Sequence, residues 1–128
     1  LLALPDSGDP AVTVYQVYVR KIVEIRVVVV GSKVFAAETA SQGWAEAQHD
    51  VRGREDLPYI EHELPPDVAE RCVALVHSFG LNFSSIDLVQ QPDGRYQFLD
   101  LNPNGQWLWL EKSGLPVSRA IADWLAAP

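Results

Sequence analysis

The chain is poor in cysteine, in basic residues and in long apolar runs, and each shortage excludes a class of protein. Its single cysteine, Cys72, excludes an internal disulfide and fits a reducing compartment, which predicts a cytoplasmic protein. Only 10 lysines and arginines stand against 17 acidic residues, and the net charge of −7 argues against a nucleic-acid partner. No apolar run approaches the roughly 20 residues of a membrane-spanning helix, so no membrane partner is expected. The three histidines are scattered without metal-ligand spacing.

What the chain does contain is enough apolar material for one domain. Its 128 residues are 48% hydrophobic, so a packed core is expected and disorder is not. Residues 1–11, rich in proline, glycine and aspartate, are predicted to be a loop or a truncation end, and residues 12–128 form the domain.

The pattern of apolar residues predicts strands, then a helix, a hairpin and a second helix. Strands are expected at Val12–Val19, Val23–Val30 and Val34–Thr39, followed by a long loop over residues 41–65. A helix begins at Pro66 and ends at Gly80, and another runs from Pro116 to Ala126. Their apolar faces are Val68, Cys72, Leu75, Val76 and Phe79 in the first, and Val117, Ile121, Trp124 and Leu125 in the second. This order predicts an α+β fold, an antiparallel sheet with helices packed on one face.

The most informative segment is the hairpin. Its turn is predicted at Gln91–Arg95, whose Pro-Asp-Gly sequence favours a turn. With either two or four residues in the loop, Asp87 on the first strand lies directly opposite Asp100 on the second. Asn102 lies two residues further on and points to the same face. Two carboxylates this close repel each other unless a proton or a cation lies between them, and with an amide oxygen they suit magnesium.

The alternative for this hairpin is a pair of solvated acids on an exposed face, which is a common arrangement. Two features favour a built site. Asp100 is expected to share its face with Tyr96 and Phe98, a poor environment for a charge that is merely solvated. The segment Asn102–Gly105 leaves the strand in a tight polar turn and is followed by two tryptophans.

Two further charges interrupt an apolar strand. Glu24 and Arg26 stand two residues apart, so both point to one face of the sheet, whereas Glu38 on the next strand points to the other. The pair either forms a polar edge, solvated or paired with each other, or lines a groove. In the groove, Glu24 would accept a hydrogen bond from a ligand hydroxyl and Arg26 would face phosphate. Arg52, in the predicted loop, is open to the same two interpretations.

Several of these segments together resemble the C-terminal half of an ATP-grasp ligase. They are Glu-Ile-Arg at 24–26, Val-Phe-Ala-Ala-Glu at 34–38, Asp-Val-Arg at 50–52, Ile-Asp-Leu at 86–88, Asp-Leu-Asn-Pro-Asn-Gly-Gln-Trp at 100–107 and Gly-Leu-Pro at 114–116. The likeness covers residues 12–126. The chain most resembles the ATP-grasp ribosomal peptide maturases of the microviridin (graspetide) type, which close side-chain lactones or lactams in precursor peptides.

The resemblance implies ATP and magnesium as cofactors. Asp87, Asp100 and Asn102 stand where the family holds magnesium on the phosphates of ATP. Val17 and Tyr18 stand in the hinge segment whose backbone meets adenine.

The resemblance also implies a ribose contact and catalytic residues. Glu24 stands where an acid meets the ribose. Arg26 and Arg52 stand where basic groups face the phosphates and the acyl phosphate, so they are the expected catalytic residues. The implied partner is a precursor peptide or a small carboxylate substrate.

The chain departs from the family pattern in three respects. Val17 replaces a common acid, and Asp100 replaces a common glutamate. The N-terminal domain and the lid, which supplies a lysine and a glycine-rich loop, have no counterpart here. We therefore expect a fragment that is inactive alone and that works with the missing N-terminal half of the same enzyme. Two other interpretations stay open: a ligase of the same fold that adds glutamate to a protein or amino acid, and a non-catalytic binding module.

Overall fold

The structure, a computed structural model, describes residues 17–43 and 57–127. Its strands are β1 (Val23–Val30), β2 (Lys33–Thr39), β3 (Ile60–Glu61), β4 (Phe83–Gln90) and β5 (Tyr96–Asn102). They form one antiparallel sheet in the order β3-β2-β1-β4-β5. The helices are α1 (Pro66–Ser78), α2 (Val117–Ala126) and two short 3₁₀ helices, Ser41–Gly43 and Leu108–Ser113.

The central strand β1 is apolar on both faces, and this decides where the helices lie. Ile25, Val27 and Val29 pack with α1, whereas Val28 and Val30 pack with α2 and the second 3₁₀ helix on the opposite face. The antiparallel sheet and the α+β class are confirmed. The helices, however, cover both faces and not one, because the consecutive valines of β1 leave apolar side chains on each side that must be removed from water.

The expected first strand is not present where it can be assessed. Val17–Val19, the described part of Val12–Val19, belongs to no strand, and residues 1–16 lie outside the described part of the chain. The Val17 residue is 86% exposed. A β-branched sequence forms a strand only where it packs against neighbours, and none of the five strands pairs with this segment. The predicted loop at 41–65 contains the first 3₁₀ helix and the short edge strand β3.

Both helices bury fewer of their apolar residues than their periodicity predicts. Phe79 and Leu125 are 65% and 70% exposed, because each lies at the end of its helix, beyond the edge of the core. Trp124 is 43% exposed, and its ring lies over the β1–β2 turn. A Cβ on Gly31, which has a φ of +60°, would come within 2.9 Å of that ring. Cys72 is buried against the sheet, and burial raises the pKa of its thiol.

The β4–β5 hairpin contains a bulge that the turn sequence does not predict. Near the turn, Gln90 pairs with Tyr96 and Leu88 with Phe98, one residue out of the expected register. The irregularity lies between Asp87 and Leu88 on β4, opposite the extra residue Leu99 on β5. Beyond it the expected register returns.

None of the helices in residues 17–43 and 57–127 combines the length and the apolar composition that spanning a membrane requires.

Candidate functional site

Five polar side chains predicted to form a site lie on one face of the sheet. Arg26 pairs with Asp87 across β1 and β4, and Asp87 pairs with Asp100 across β4 and β5, which confirms the predicted opposition of the two acids. Paired residues point to the same face, and Glu24 and Asn102 lie two residues from Arg26 and Asp100. This site face is the side of the sheet covered further along by α2.

The Tyr96 and Phe98 side chains are not on the site face. The bulge changes the alternation, so these two rings lie on the α1 side, where they line an apolar pocket with Leu88. The expectation that Asp100 shares its face with both aromatic residues is therefore wrong. The extra residue between Phe98 and Asp100 is the physical reason.

The Arg26 side chain pairs with an acid of the candidate metal site. Its Nε lies 3.1 Å from Oδ1 of Asp87, and the two side chains are 23% and 38% exposed. The guanidinium carries five N–H donors in a fixed fork, so one contact through Nε leaves the terminal nitrogens available for an anion. Arg26 is thus held beside the acids. The alternative interpretation of this strand, in which Arg26 pairs with Glu24, is not what the structure shows.

The Glu24 carboxylate is fixed by two other groups. The ammonium of Lys21 donates to its Oε1 at 2.5 Å, and the hydroxyl of Ser41 donates to the same oxygen at 2.7 Å. Lys21 and Glu24 expose only 6% and 12% of their side chains. Because both bonds are to Oε1, the second oxygen, Oε2, is the one that can accept a hydrogen bond from a ligand.

The candidate metal ligands are oriented by local hydrogen bonds. The backbone N–H of Leu101 donates to Oδ1 of Asp100, and that of Asn104 donates to Oδ1 of Asn102, each at 2.9 Å. An oxygen of this kind has two lone pairs, so one such bond leaves it able to coordinate a cation. Two carboxylates and an amide oxygen form the hard donor set that suits magnesium. Within residues 17–43 and 57–127, no group of three or more His, Cys, Asp or Glu residues could hold a metal.

The turn after β5 packs directly onto β4. The N–H of Gly105 donates to the carbonyl of Asn102 at 3.1 Å, and Gly105 is buried. A Cβ at this position would lie 2.5 Å from Cβ and 2.6 Å from Oγ of Ser85. Glycine is therefore required here for close approach, and the contact with Ser85 holds the loop that carries Asn102 against the sheet.

Two hydroxyl residues near the site were not predicted. Thr39 pairs with Glu24, and its Oγ1 is buried with no hydrogen-bond partner among the described residues. Tyr59 packs its ring edge-on against Trp109, with 4.4 Å between ring centroids. Burial, with further contributions from the charges of Glu24 and Asp87, raises the pKa of Tyr59 to about 12, whereas Arg26 acts in the opposite direction. The only sequence signal for Tyr59 was its place in the unassigned loop.

The remaining predicted site residues are not brought into this group. Val17 and Tyr18 precede β1, and both are exposed. Arg52 lies outside the described residues. Glu38 points to the opposite face, as predicted, where its carboxylate hydrogen-bonds to Nδ1 of His62.

The known proteins that resemble this chain are solved structures. No protein-family model and no curated protein sequence matches the chain. A RiPP-associated ATP-grasp ligase from Chryseobacterium gregarium, solved with ADP and a leader and core peptide, is 30% identical, with a TM-score of 0.79 over 86% of this chain and 35% of its own. The macrocyclase MdnB from Microcystis aeruginosa MRC is 32% identical, with a TM-score of 0.73 over 89% of this chain and 41% of its own. The macrocyclase MdnC from the same organism, solved with the precursor peptide MdnA, is 33% identical, with a TM-score of 0.68 over 82% of this chain and 30% of its own.

The resemblance to the ATP-grasp peptide ligases is thereby confirmed. The chain spans between 30% and 41% of the length of these ATP-grasp structures. Its five-stranded antiparallel sheet with flanking helices matches their fold over that part.

Proposed function

We propose that the chain is the magnesium- and nucleotide-binding part of an ATP-grasp ligase that activates a peptide side-chain carboxylate. The observation that carries the proposal is the row Arg26, Asp87 and Asp100, paired across three strands on one face. A cation-binding acid pair directly beside a guanidinium is suited to hold the phosphates of a nucleotide. The ADP and peptide in the Chryseobacterium ligase support the same assignment.

In the proposed reaction, a carboxylate oxygen of the peptide attacks the γ-phosphorus of ATP, and ADP leaves. A hydroxyl or amine of the peptide then attacks the acyl carbon, phosphate leaves and one proton is released. The product is an ester or an amide cross-link. When bound, magnesium would neutralise charge on the phosphates.

The residues of this chain would bind and orient the reactants. The side chains of Asp87, Asp100 and Asn102 would hold the cation. Arg26 would donate from its terminal nitrogens to the oxygens that gain charge during transfer. Glu24 would accept a ribose hydroxyl through Oε2, since Lys21 and Ser41 fix its other oxygen.

The other proposed contacts rest on sequence position. The backbone of Val17 and Tyr18 would meet adenine, and Arg52 would face the acyl phosphate. A precursor peptide would be the substrate, and the rest of the nucleotide clamp would come from a part of the enzyme outside these 128 residues. We expect the 128 residues alone to bind nucleotide weakly and to show no ligase turnover.

The test uses the complete gene product, ATP, magnesium and peptides that carry glutamate or aspartate with threonine or lysine. We expect ADP release coupled to a peptide that has lost one water in its mass spectrum. Asp100→Asn should abolish most of this activity, because it removes a ligand charge. Asp93→Asn is the matched control, since Asp93 lies in the turn of the same hairpin and pairs with exposed Arg95.

Three results would contradict the proposal. ATP turnover that is equal in Asp100→Asn and Asp93→Asn would remove the metal role of the acid pair. Nucleotide binding with no turnover of any carboxylate peptide or free amino acid would favour a binding module. Turnover with a free amino acid as acceptor, and none with a peptide hydroxyl or amine, would instead indicate a ligase of the glutamate-adding kind.

A further inference from the structure

The Tyr59 side chain lies at the side of the site opposite to the acid pair. The β2–β3 register pairs Ala37 with Glu61 and Glu38 with Ile60. Continued by one residue, it places Tyr59 beside Thr39, and Thr39 is paired with Glu24. The Tyr59 ring packs against the apolar cluster under the site face.

The position of the ring is fixed from two sides. The hydroxyl of Ser113 donates to the backbone carbonyl of Tyr59 at 3.0 Å, and the ring of Trp109 meets the Tyr59 ring at 60°. Both partners belong to the 3₁₀ helix Leu108–Ser113, which follows the turn that carries Asn102. A ring held in this way loses little conformational freedom when it binds a ligand.

The charges around Tyr59 favour a donor role for its hydroxyl. Glu24, Arg26 and Asp87 all act on the phenol, and burial together with the two acids raises its pKa from 10.0 to about 12. A phenol is protonated in the neutral range at either value, so this hydroxyl is able to donate. The acids have partners of their own, because Glu24 accepts hydrogen bonds from Lys21 and Ser41, and Asp87 forms an ion pair with Arg26. A neutral donor in this place adds a hydrogen bond to an anion without adding another charge to the site.

Thr39 lies between Tyr59 and Glu24 on the site face. The residue is 2% exposed, and its hydroxyl oxygen is buried with no hydrogen-bond partner within residues 17–43 and 57–127. A buried hydroxyl without a partner is costly, and a hydrogen bond to a polar group bound beside Glu24 would remove that cost.

We propose that the Tyr59 hydroxyl donates a hydrogen bond to an oxyanion that binds beside Arg26, either the substrate carboxylate or the phosphoryl group transferred to it. This role rests on the proposed function and adds an anion-binding residue on the β3 side of the site. Arg26 contacts the anion from the centre of the sheet, and Tyr59 contacts it from the edge. The two donors together would fix the direction from which the anion approaches.

The experiment compares Tyr59→Phe with Tyr96→Phe in the complete gene product. Tyr96 is the matched control, because its hydroxyl bonds to Nε2 of His62 at 2.9 Å on the opposite face. The probes are N-acetylglutamate N-methylamide for the carboxylate and Mg·AMPPNP for the phosphoryl group, with Mg·ADP as a nucleotide that lacks that group. Dissociation constants are measured by calorimetry, and melting temperatures are recorded for each variant.

A hydrogen bond to a charged group contributes about 1.5–3 kcal/mol, so Tyr59→Phe should weaken one probe roughly 10- to 150-fold. If Tyr59→Phe weakens binding of the glutamate probe alone, the oxyanion that accepts from Tyr59 is the substrate carboxylate. If it weakens binding of Mg·AMPPNP but not of Mg·ADP, that oxyanion is the phosphoryl group. Tyr96→Phe should leave all three constants unchanged.

Three results would overturn the inference: unchanged binding in Tyr59→Phe, an equal loss in Tyr96→Phe, or no binding of either probe to the unaltered protein. Failure of the proposed function is a separate result. A protein that turns over no carboxylate substrate, yet loses binding of a probe in Tyr59→Phe, retains the oxyanion contact without the ligase activity.

Discussion

Replacing Gly105 with alanine should destabilise the protein through one contact. The added Cβ would lie 2.5 Å from Cβ of Ser85 and 3.2 Å from the carbonyl oxygen of Asn102. Both distances are shorter than ordinary van der Waals contacts, and Ser85 is fully buried on β4, so it has no free space to move into. The turn must therefore shift away from the sheet.

The magnitude follows from the cost of overpacking. Inserting a methyl group into a well-packed position costs about 1–3 kcal/mol. For a domain of this size, 1 kcal/mol lowers the melting temperature by roughly 4 °C. The expected loss is therefore about 4–12 °C. Because Gly105 donates to the carbonyl of Asn102, we also expect nucleotide binding in magnesium to weaken.

Thermal denaturation of three variants tests this reasoning. Gly43→Ala is the control, since a Cβ there meets nothing within 4 Å, and its stability should change by less than about 0.5 kcal/mol. Ser85→Gly in the Gly105→Ala background removes the atoms that clash, so the double variant should be more stable than the sum of the two single changes predicts. An unchanged melting temperature in Gly105→Ala, or additivity in the double variant, would refute the contact.

Three further predictions follow from single side chains. Arg26→Lys keeps the charge but loses the fork, so kcat should fall by roughly 10²–10³; near-normal kcat with a lowered melting temperature would show that Arg26 only stabilises Asp87. Thr39→Val removes a buried hydroxyl that has no partner in the described part of the chain, so the free energy of unfolding in urea should rise by about 1 kcal/mol, and a decrease would reveal a bond in the native state. The raised pKa of Tyr59 means that the unfolded chain loses this proton near pH 10.0 and the folded chain near about 12, so stability should fall between these values. Tyr59→Phe should abolish that part of the fall, and ionisation near 10.0 in an ultraviolet titration would contradict the assignment.

The opposition of Asp87 and Asp100 could be predicted from the sequence, although the prediction did not include the bulge between these residues and the turn. The turn fixes which strands pair, but it does not fix the loop length, and the structure shows a longer loop compensated by a bulge. The loop shifts the pairing by one residue, and the bulge shifts it back by one residue. The bulge lies between Phe98 and Asp100, so the two acids face each other as predicted, whereas Tyr96 and Phe98, nearer the turn, lie on the other face. A bulge depends on local twist and packing, which one strand's sequence does not encode.

The position of the helices could have been predicted from β1 alone. An antiparallel strand with one solvated face alternates apolar and polar residues, whereas residues 27–30 are all valine. Such a run requires cover on both sides. Tyr59 could not have been found in this way, because it precedes a two-residue strand whose pairing depends on β2 and not on any local pattern. The contacts of Glu24 with Lys21 and Ser41 likewise join elements that no periodicity connects.

Magnesium-dependent nucleotide binding tests the central claim most directly. Calorimetric titration of the complete gene product with ADP should give binding that weakens at least about 10-fold when magnesium is replaced by EDTA. In Asp100→Asn the affinity with magnesium should fall to that of the unaltered protein in EDTA, while Asp93→Asn should bind as the unaltered protein does. Equal affinity for ADP with and without magnesium, or an Asp100→Asn variant that keeps the full magnesium effect, would contradict the account.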